Sequence, residues 1–467
     1  MALPAPHPGA RDTSAPAGRP VPELDPELVA RRQAEGAGLI DLLALVRERL
    51  GGVGAFRPAP RVAPTVLVTD PDAVRHVLAR HPDRYVKRSH RARVLVGDGV
   101  LSASGDAWQR QRRLLQAQFT GRGMRRYEER IAAAARVTAV RWEAYARAGD
   151  VVDIGEETRR FALDTIWRSL TGHPLDPATE AELAAVATVV AALPSLPEDR
   201  FAAQAAVAAD VARVDAVAER AVRAARDGGA GPDGPGLLHV LVEASESRPE
   251  YTDRLIRDEL VTLLVAGHET TATTLTSLYL LLDRHPEARD QALAAGPDGS
   301  PERRQAVQAL VHETLRLYPS AWILPRHAAE ADTLAGHALP AGTDLVVSPY
   351  LVHRDPGLWP DPERFDPGRF ATPGRRPAHP AAYLPFGMGP RACLGLQFAL
   401  RESVALLELL LPRFVPRFRS VPERTAYGLT VRPDGPTPAV LTGVGQRSTE
   451  EKLSTWIQVT GLDACGP

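Results

Sequence analysis

The stretch FGMGPRACLG (386–395) sets one cysteine, Cys393, among three glycines and an arginine. The only other cysteine lies in the terminal LDACGP. After Cys393 the run LGLQFALRESVALLELLL reads as a helix that stops at Pro412. The sulfur therefore sits at or just before a helix N-terminus, where unpaired backbone N–H groups and the helix dipole favour a thiolate. Such a sulfur can be an inert core group, a nucleophile, a zinc ligand or a haem ligand. Zinc fails on ligand count, because the chain has no CxxC and no HxxxH. HETLR (312–316) opens like a zinc-protease motif, yet Arg316 occupies the place of its second histidine. A nucleophile needs a histidine base close in space, which spacing along the chain does not supply.

A haem ligand explains more of the neighbourhood. Gly387 and Gly389 would let the backbone turn tightly and approach a flat macrocycle. Phe386 would pack against ring or sulfur, Arg391 could pair with a propionate, and backbone N–H groups after Cys393 would tune the sulfur. The pattern F-x-x-G-x-R-x-C-x-G, matched by Phe386, Gly389, Arg391, Cys393 and Gly395, resembles the haem-binding signature of the cytochrome P-450 monooxygenases. The resemblance spans about residues 25–445, with further motifs in the expected order.

It implies haem b held on Cys393, with dioxygen as co-substrate. AGHETT (266–271) resembles the family's oxygen-binding motif, in which an acid and an alcohol deliver protons; Glu269 and Thr270 match those places. Ala266 and Gly267 would border the haem, Gly267 opening room at a local kink. Read from the residues alone, the six threonines of the helix-patterned segment from about Glu259 to Asp283 would be bonded back to helix carbonyls. ETLR (313–316) puts Glu313 and Arg316 on one helix face, which alone reads as a surface pair of little value. The resemblance buries that pair and adds an arginine from the later loop; the register of FDPGRF selects Arg369 and leaves Arg364 exposed. WQRQRR (108–113) matches an element in which Trp108 and Arg112 reach a propionate, and Arg326 matches another such position. Substrate is expected against Val265, Trp322, Ile323 and Leu324, the 85–104 loop and the 190–202 region.

The elements that must position these groups are mostly helical. Apolar residues recur at three- and four-residue steps over 123–148, 178–193, 201–226, 254–284 and 302–317. Strand-like alternation is confined to TVLVTD (65–70), DLVVSPY (344–350) and AVLTG (439–443), and 319–392 reads as proline-rich and irregular. Residues 1–24 read as a disordered proline-rich leader, and 446–467 as a tail without assigned role. The expected fold is mainly α with small β-sheets, a single cytochrome P-450 domain over 25–445.

Across 467 residues the formal net charge is -1, so bulk charge points to neither nucleic acid nor an anionic membrane. No apolar run reaches the roughly 20 residues of a membrane span, and two cysteines suit a reducing cytoplasm. The expectation is a monomeric cytoplasmic oxygenase of bacterial secondary metabolism, inserting one oxygen atom into an apolar small molecule by hydroxylation or epoxidation. No glycine-rich flavin or nicotinamide fingerprint follows a strand, so electrons are expected from NAD(P)H through a ferredoxin and ferredoxin reductase. Six arginines and no acid between Arg110 and Arg126 would steer that ferredoxin. The alternatives are a peroxide-driven or atypical coupling enzyme of the same fold and a haem-binding sensor.

Overall fold

The computed structural model describes residues 18–87, 91–197 and 199–443. Its centre is a 32-residue helix, Asp253–Arg284. At 1.5 Å per residue it runs roughly 48 Å. Thr252 caps it by accepting the Leu255 N–H at 3.2 Å, and Pro286 lies just past its end. Buried residues occur on every side of it, as in a helix that forms the middle of a core rather than its skin.

Helices Ile154–Thr171, Ala208–Arg226, Pro301–Leu317 and Leu396–Leu410 pack around this axis. Closest contact is with Ile154–Thr171. A Cβ built on Gly267 would stand 2.9 Å from Ile166 Cγ1, so the missing side chain lets two backbones approach. This corrects the expected role of Gly267: its open side faces a neighbouring helix, and the long helix runs unbroken through it.

Two other expectations shift. The pattern over 201–226 splits into Arg200–Ala206 and Ala208–Arg226, because Val207 (φ -124°, ψ 13°) leaves the helical region. The irregular stretch 319–392 contains four strands, Leu324–Ala328, Asp332–Leu334, His337–Leu339 and Asp344–Val347. Two of them join a five-stranded sheet in the order Val53–Phe56, Thr65–Val68, Asp344–Val347, Leu324–Ala328, Tyr85–Val86. Its register pairs Val86 with His327, which brings the next residue, Lys87, beside Arg326.

The leader expected over 1–24 is shorter than its boundary. Arg19 and Pro20 pair with His337 and Ala338, and Leu24 is buried. The rest of that leader and the tail 446–467 lie outside the described residues. Among the described residues no helix is long and apolar enough to cross a membrane.

One buried ion pair ties this scaffold to the cysteine loop. Arg316 Nε and Nη2 donate to the two oxygens of Glu313, each at 2.8 Å, and neither side chain is exposed. Arg369 Nε lies 3.4 Å from the same carboxylate, and Arg364 is exposed. The other donors of Arg316 reach the carbonyls of His353, Pro362 and Arg364 at 2.9, 2.6 and 3.0 Å. His353 continues the chain of contacts. Its Nδ1 faces Arg316 O at 3.1 Å and its Nε2 accepts from Leu384 N–H at 2.9 Å. Burial pushes the His353 imidazole down to about 3, so it stays neutral with one donor and one acceptor nitrogen. Leu384 is two residues ahead of Phe386, where the cysteine loop begins.

Removing one partner of such a pair strands two guanidinium groups without a counter-charge. Glu313→Gln is expected to lower stability by about 3–5 kcal/mol. The urea midpoint of unfolding reads this directly, and an unchanged midpoint would sink the assignment.

Candidate haem site

The cysteine loop is built from backbone constraints. Cys393 N–H donates to Phe386 O at 2.7 Å, closing the loop on itself. Gly387 and Gly389 adopt φ of 70° and 72°. At Gly389 the close approach is as strict as the dihedral, since an added Cβ would fall 2.1 Å from Leu78 O. The helix that follows begins at Leu396, with Gly395 as its N-cap. Burial pushes the Cys393 thiol up, while the Gly395 N–H and the nearby Arg112 pull it down, so the loop carries its own donors for a thiolate.

Cys393 is accessible, yet burial is the largest influence on its thiol. Surface that is accessible yet enclosed is the wall of an internal chamber. Ala266 tells the same story from across the fold: it is exposed, whereas Val261, Leu264 and Val265 on the same helix are buried.

Four cations face one another near the sulfur. Lys87 is pulled down to about 7 by burial and by Arg326 and Arg391. Arg391 falls to about 10 through burial, Arg326 and Arg112, and Arg326 to about 10 through burial. Arg112 is lowered by burial and raised by Cys393, and its Nε is buried without a hydrogen-bond partner. Among the described residues, no carboxylate is among the groups that act on these four. Buried cations without counter-charge are costly, and the arrangement fits a flat ligand that brings two carboxylates of its own. The Arg391 guanidinium also lies over the Trp108 ring, 3.9 Å from its centre, and donates to Ala103 O at 3.0 Å. The residues present therefore fit a haem: Cys393 for the metal, the four cations and Trp108 for the propionate side.

Glu269 and Thr270 are adjacent but turned to different partners. Glu269 is buried; burial alone would raise it, yet His268, Arg159 and Arg432 bring it down to about 2. Its Oε1 is 3.2 Å from His268 Nε2 and 3.4 Å from Arg159 Nε, and Arg159 in turn pairs with exposed Glu156. Thr270 Oγ1 donates to Ala266 O at 2.9 Å, and its carbonyl accepts from Thr273, Thr274 and Ser320 at 3.1, 2.8 and 2.8 Å.

Two of the expected substrate contacts are corrected. Trp322 is a core residue: its indole donates to Gly428 O at 2.8 Å and packs edge-on against Tyr427. Val265 is likewise spent in the apolar cluster between helices. Ile323 is half-buried against the Trp322 cluster, and Leu324 approaches Gly387, its Cδ1 3.8 Å from where a Cβ would stand.

Three residues escaped the sequence reading. Lys87 carries no motif, and only the strand register beside Arg326 exposes it. His353 looks like any loop histidine until Arg316 and Leu384 are seen on its two nitrogens. Glu402, nine residues after Cys393, is fully buried and accepts from Thr271 at 2.6 Å; burial raises it well above the usual carboxylate range. Its signal was a carboxylate inside the apolar stripe of the cysteine helix.

A family model described as Cytochrome P450 matches residues 41–430. Cyclooctatin synthase of Streptomyces melanosporofaciens is 30% identical over 406 residues, covering 82% of this chain and 85% of that protein. Cytochrome P450 132 of Mycobacterium tuberculosis is 37% identical over 211 residues, and that alignment spans less than half of either protein (42% and 44%). Among solved structures, the cytochrome P450DA heme domain superposes with a TM-score of 0.78 at 26% identity, covering 93% of this chain and 99% of that one. CYP175A1 from Thermus thermophilus gives 0.69 at 30% identity, with 91% and 100% covered. A cysteine on a glycine turn beside a group of cations is thus matched by sequence and by shape alike, and the chain belongs to the cytochrome P450 family.

Proposed function

We propose that the chain is a haem-thiolate monooxygenase whose metal ligand is Cys393. One observation carries the reading: an accessible sulfur with its own N–H donor, beside four cations on which no carboxylate among the described residues acts. When bound, haem supplies dioxygen activation and transfer of one oxygen atom to substrate, chemistry that thiolate ligation favours.

The chain's own groups then have distinct tasks. Lys87, Arg112, Arg326 and Arg391 hold the propionates, and Trp108 braces Arg391. Phe386, Gly387 and Gly395 shape the loop around the sulfur. Glu269, which burial alone would raise but which its neighbours His268, Arg159 and Arg432 hold low, cannot hold a proton at rest. It serves as a relay whose proton arrives from the surface past Glu156, with Arg159 keeping its charge and orienting the carboxylate, and leaves toward Thr270. The Thr270 hydroxyl must swing from Ala266 O toward the chamber to take part. Ala266, exposed on the long helix, and Leu324, beside Gly387 of the cysteine loop, give the site an apolar lining suited to a small apolar substrate, hydroxylated or epoxidised. Likeness to a protein named cyclooctatin synthase supports a biosynthetic setting, which we place in bacterial secondary metabolism.

Electrons come from NAD(P)H through a ferredoxin reductase and a ferredoxin. Arg113, Arg122, Arg125 and Arg126 are exposed on the elements that follow Trp108, and none of them forms an ion pair among the described residues. A positive face of this kind steers an acidic partner. The enzyme acts as a cytoplasmic monomer.

Cys393→Ala is expected to abolish the red-shifted Soret band of the reduced, carbon monoxide-bound protein, and a spectrum identical to the parent's would reject the ligand. Thr270→Ala should divert reducing equivalents to hydrogen peroxide, read as peroxide per NAD(P)H consumed; undiminished coupling removes Thr270 from the relay. Reversing charge in Arg113→Glu/Arg122→Glu should slow reduction by an acidic [2Fe–2S] ferredoxin about tenfold at low salt, with a smaller effect at high salt. Equal rates at both salt levels would move the docking face elsewhere.

A further inference from the structure

The long helix carries a second set of buried polar groups, at its N-terminal end, that the haem site does not use. Three successive residues grip the segment 95–100. Arg257 Nη1 donates to Leu95 O at 2.8 Å. Asp258 Oδ2 accepts from Asp98 N–H at 2.9 Å, and Glu259 Oε2 accepts from Val100 N–H at 3.0 Å. From the other side, Gln111 Nε2 donates to Asp98 O at 3.0 Å. The contact is tight, since a Cβ on Gly99 would fall 2.2 Å from Thr262 Oγ1. Three residues beyond Val100, Ala103 O receives Arg391 from the cysteine loop. The segment 97–103 thus bridges the long helix and the cysteine loop. Glu259 and Ala266 are seven residues apart, so they share a helix face.

We propose that the Glu259 carboxyl, hydrogen-bonded to Val100, is a positioning group that latches the segment 97–103 onto the long helix and so sets one wall of the substrate chamber. The proposal rests on the haem-enzyme reading only for what the chamber holds.

Glu259 is completely buried, and its second oxygen, Oε1, has no hydrogen-bond partner. Few cations compensate it. Asp258 beside it is a like charge, itself engaged by Arg257 at 2.9 Å and Arg254 at 3.4 Å. Tyr251, raised partly by Glu259, faces it from the preceding loop, and Arg110 from the Trp108 helix pairs with Glu250 at 3.8 Å. Asp215 takes another donor of Arg257, and Arg93 pairs with Asp98 at 3.3 Å. Burial therefore lifts Glu259 from 4.5 to about 8, with Val100 N–H lowering it and Asp258 raising it. The latched state holds a proton at neutral pH. Swung out into water the same carboxyl gives that proton up at its ordinary value. Opening of the latch consequently gains with rising pH between those two values and levels off above about 8.

Amide hydrogen exchange of residues 98–103 in the haem-loaded protein tests this. After correction for intrinsic exchange, protection should fall by up to about tenfold per pH unit from pH 6 to pH 8 and flatten above. Glu259→Gln keeps the acceptor for Val100 and removes the titration, so its protection should stay level over the same range. The affinity of 4-phenylimidazole, followed by its spectral shift, should fall several-fold between pH 6 and 8 in the parent and stay constant in Glu259→Gln. Parallel pH profiles in parent and variant overturn the latch. That result would leave the Cys393 spectrum untouched, so the two readings fail separately.

Discussion

An ion pair shut away from water, Glu313 with Arg316, decides where the cysteine loop can lie. Its charges cancel each other, but the pair's leftover donors do the positioning by pinning the carbonyls of residues 353, 362 and 364. Buried pairs are poor sources of net stability, because desolvating two ions offsets most of their attraction. They are good at excluding alternatives: any other path for the loop would leave a bare guanidinium in the interior. His353 carries the constraint onward to Leu384, and the closure of Cys393 N–H on Phe386 O finishes it. A sulfur held this way is set by backbone geometry rather than by side-chain packing.

Much of this was legible in the chain. Cys393 could be singled out because a glycine turn and a helix start bracket it, and Arg369 could be chosen over Arg364 by register. Residues set by three-dimensional direction were not. Gly267 stands between Ala266 and His268, and successive residues on a helix point about 100° apart. One position faces the chamber and the next faces Ile166, which no motif distinguishes. Trp322 was misplaced for a related reason: SAWIL is apolar throughout, so composition could not tell core from chamber wall. The strands between 319 and 392 were hidden by their shortness and by Pro325 within one of them.

Two buried acids on or against the long helix sit in opposite electrostatic settings. Glu269 is ringed by His268, Arg159 and Arg432 and is brought down, while Glu402 is raised by burial and, among the described residues, meets a threonine hydroxyl. Desolvation acts on both; the difference is whether cations repay it. The long helix thus carries a fixed negative charge at Glu269 and, through Thr271, donates to a carboxyl of the neighbouring cysteine helix.

The pairing of Val86 with His327 has a consequence for how the protein comes together. By bringing Lys87 next to Arg326, it commits a sheet edge to like charges that repel until a dianion separates them. A ligand that binds only the finished fold stabilises it by mass action. Cofactor binding and the stability of that sheet edge are therefore linked.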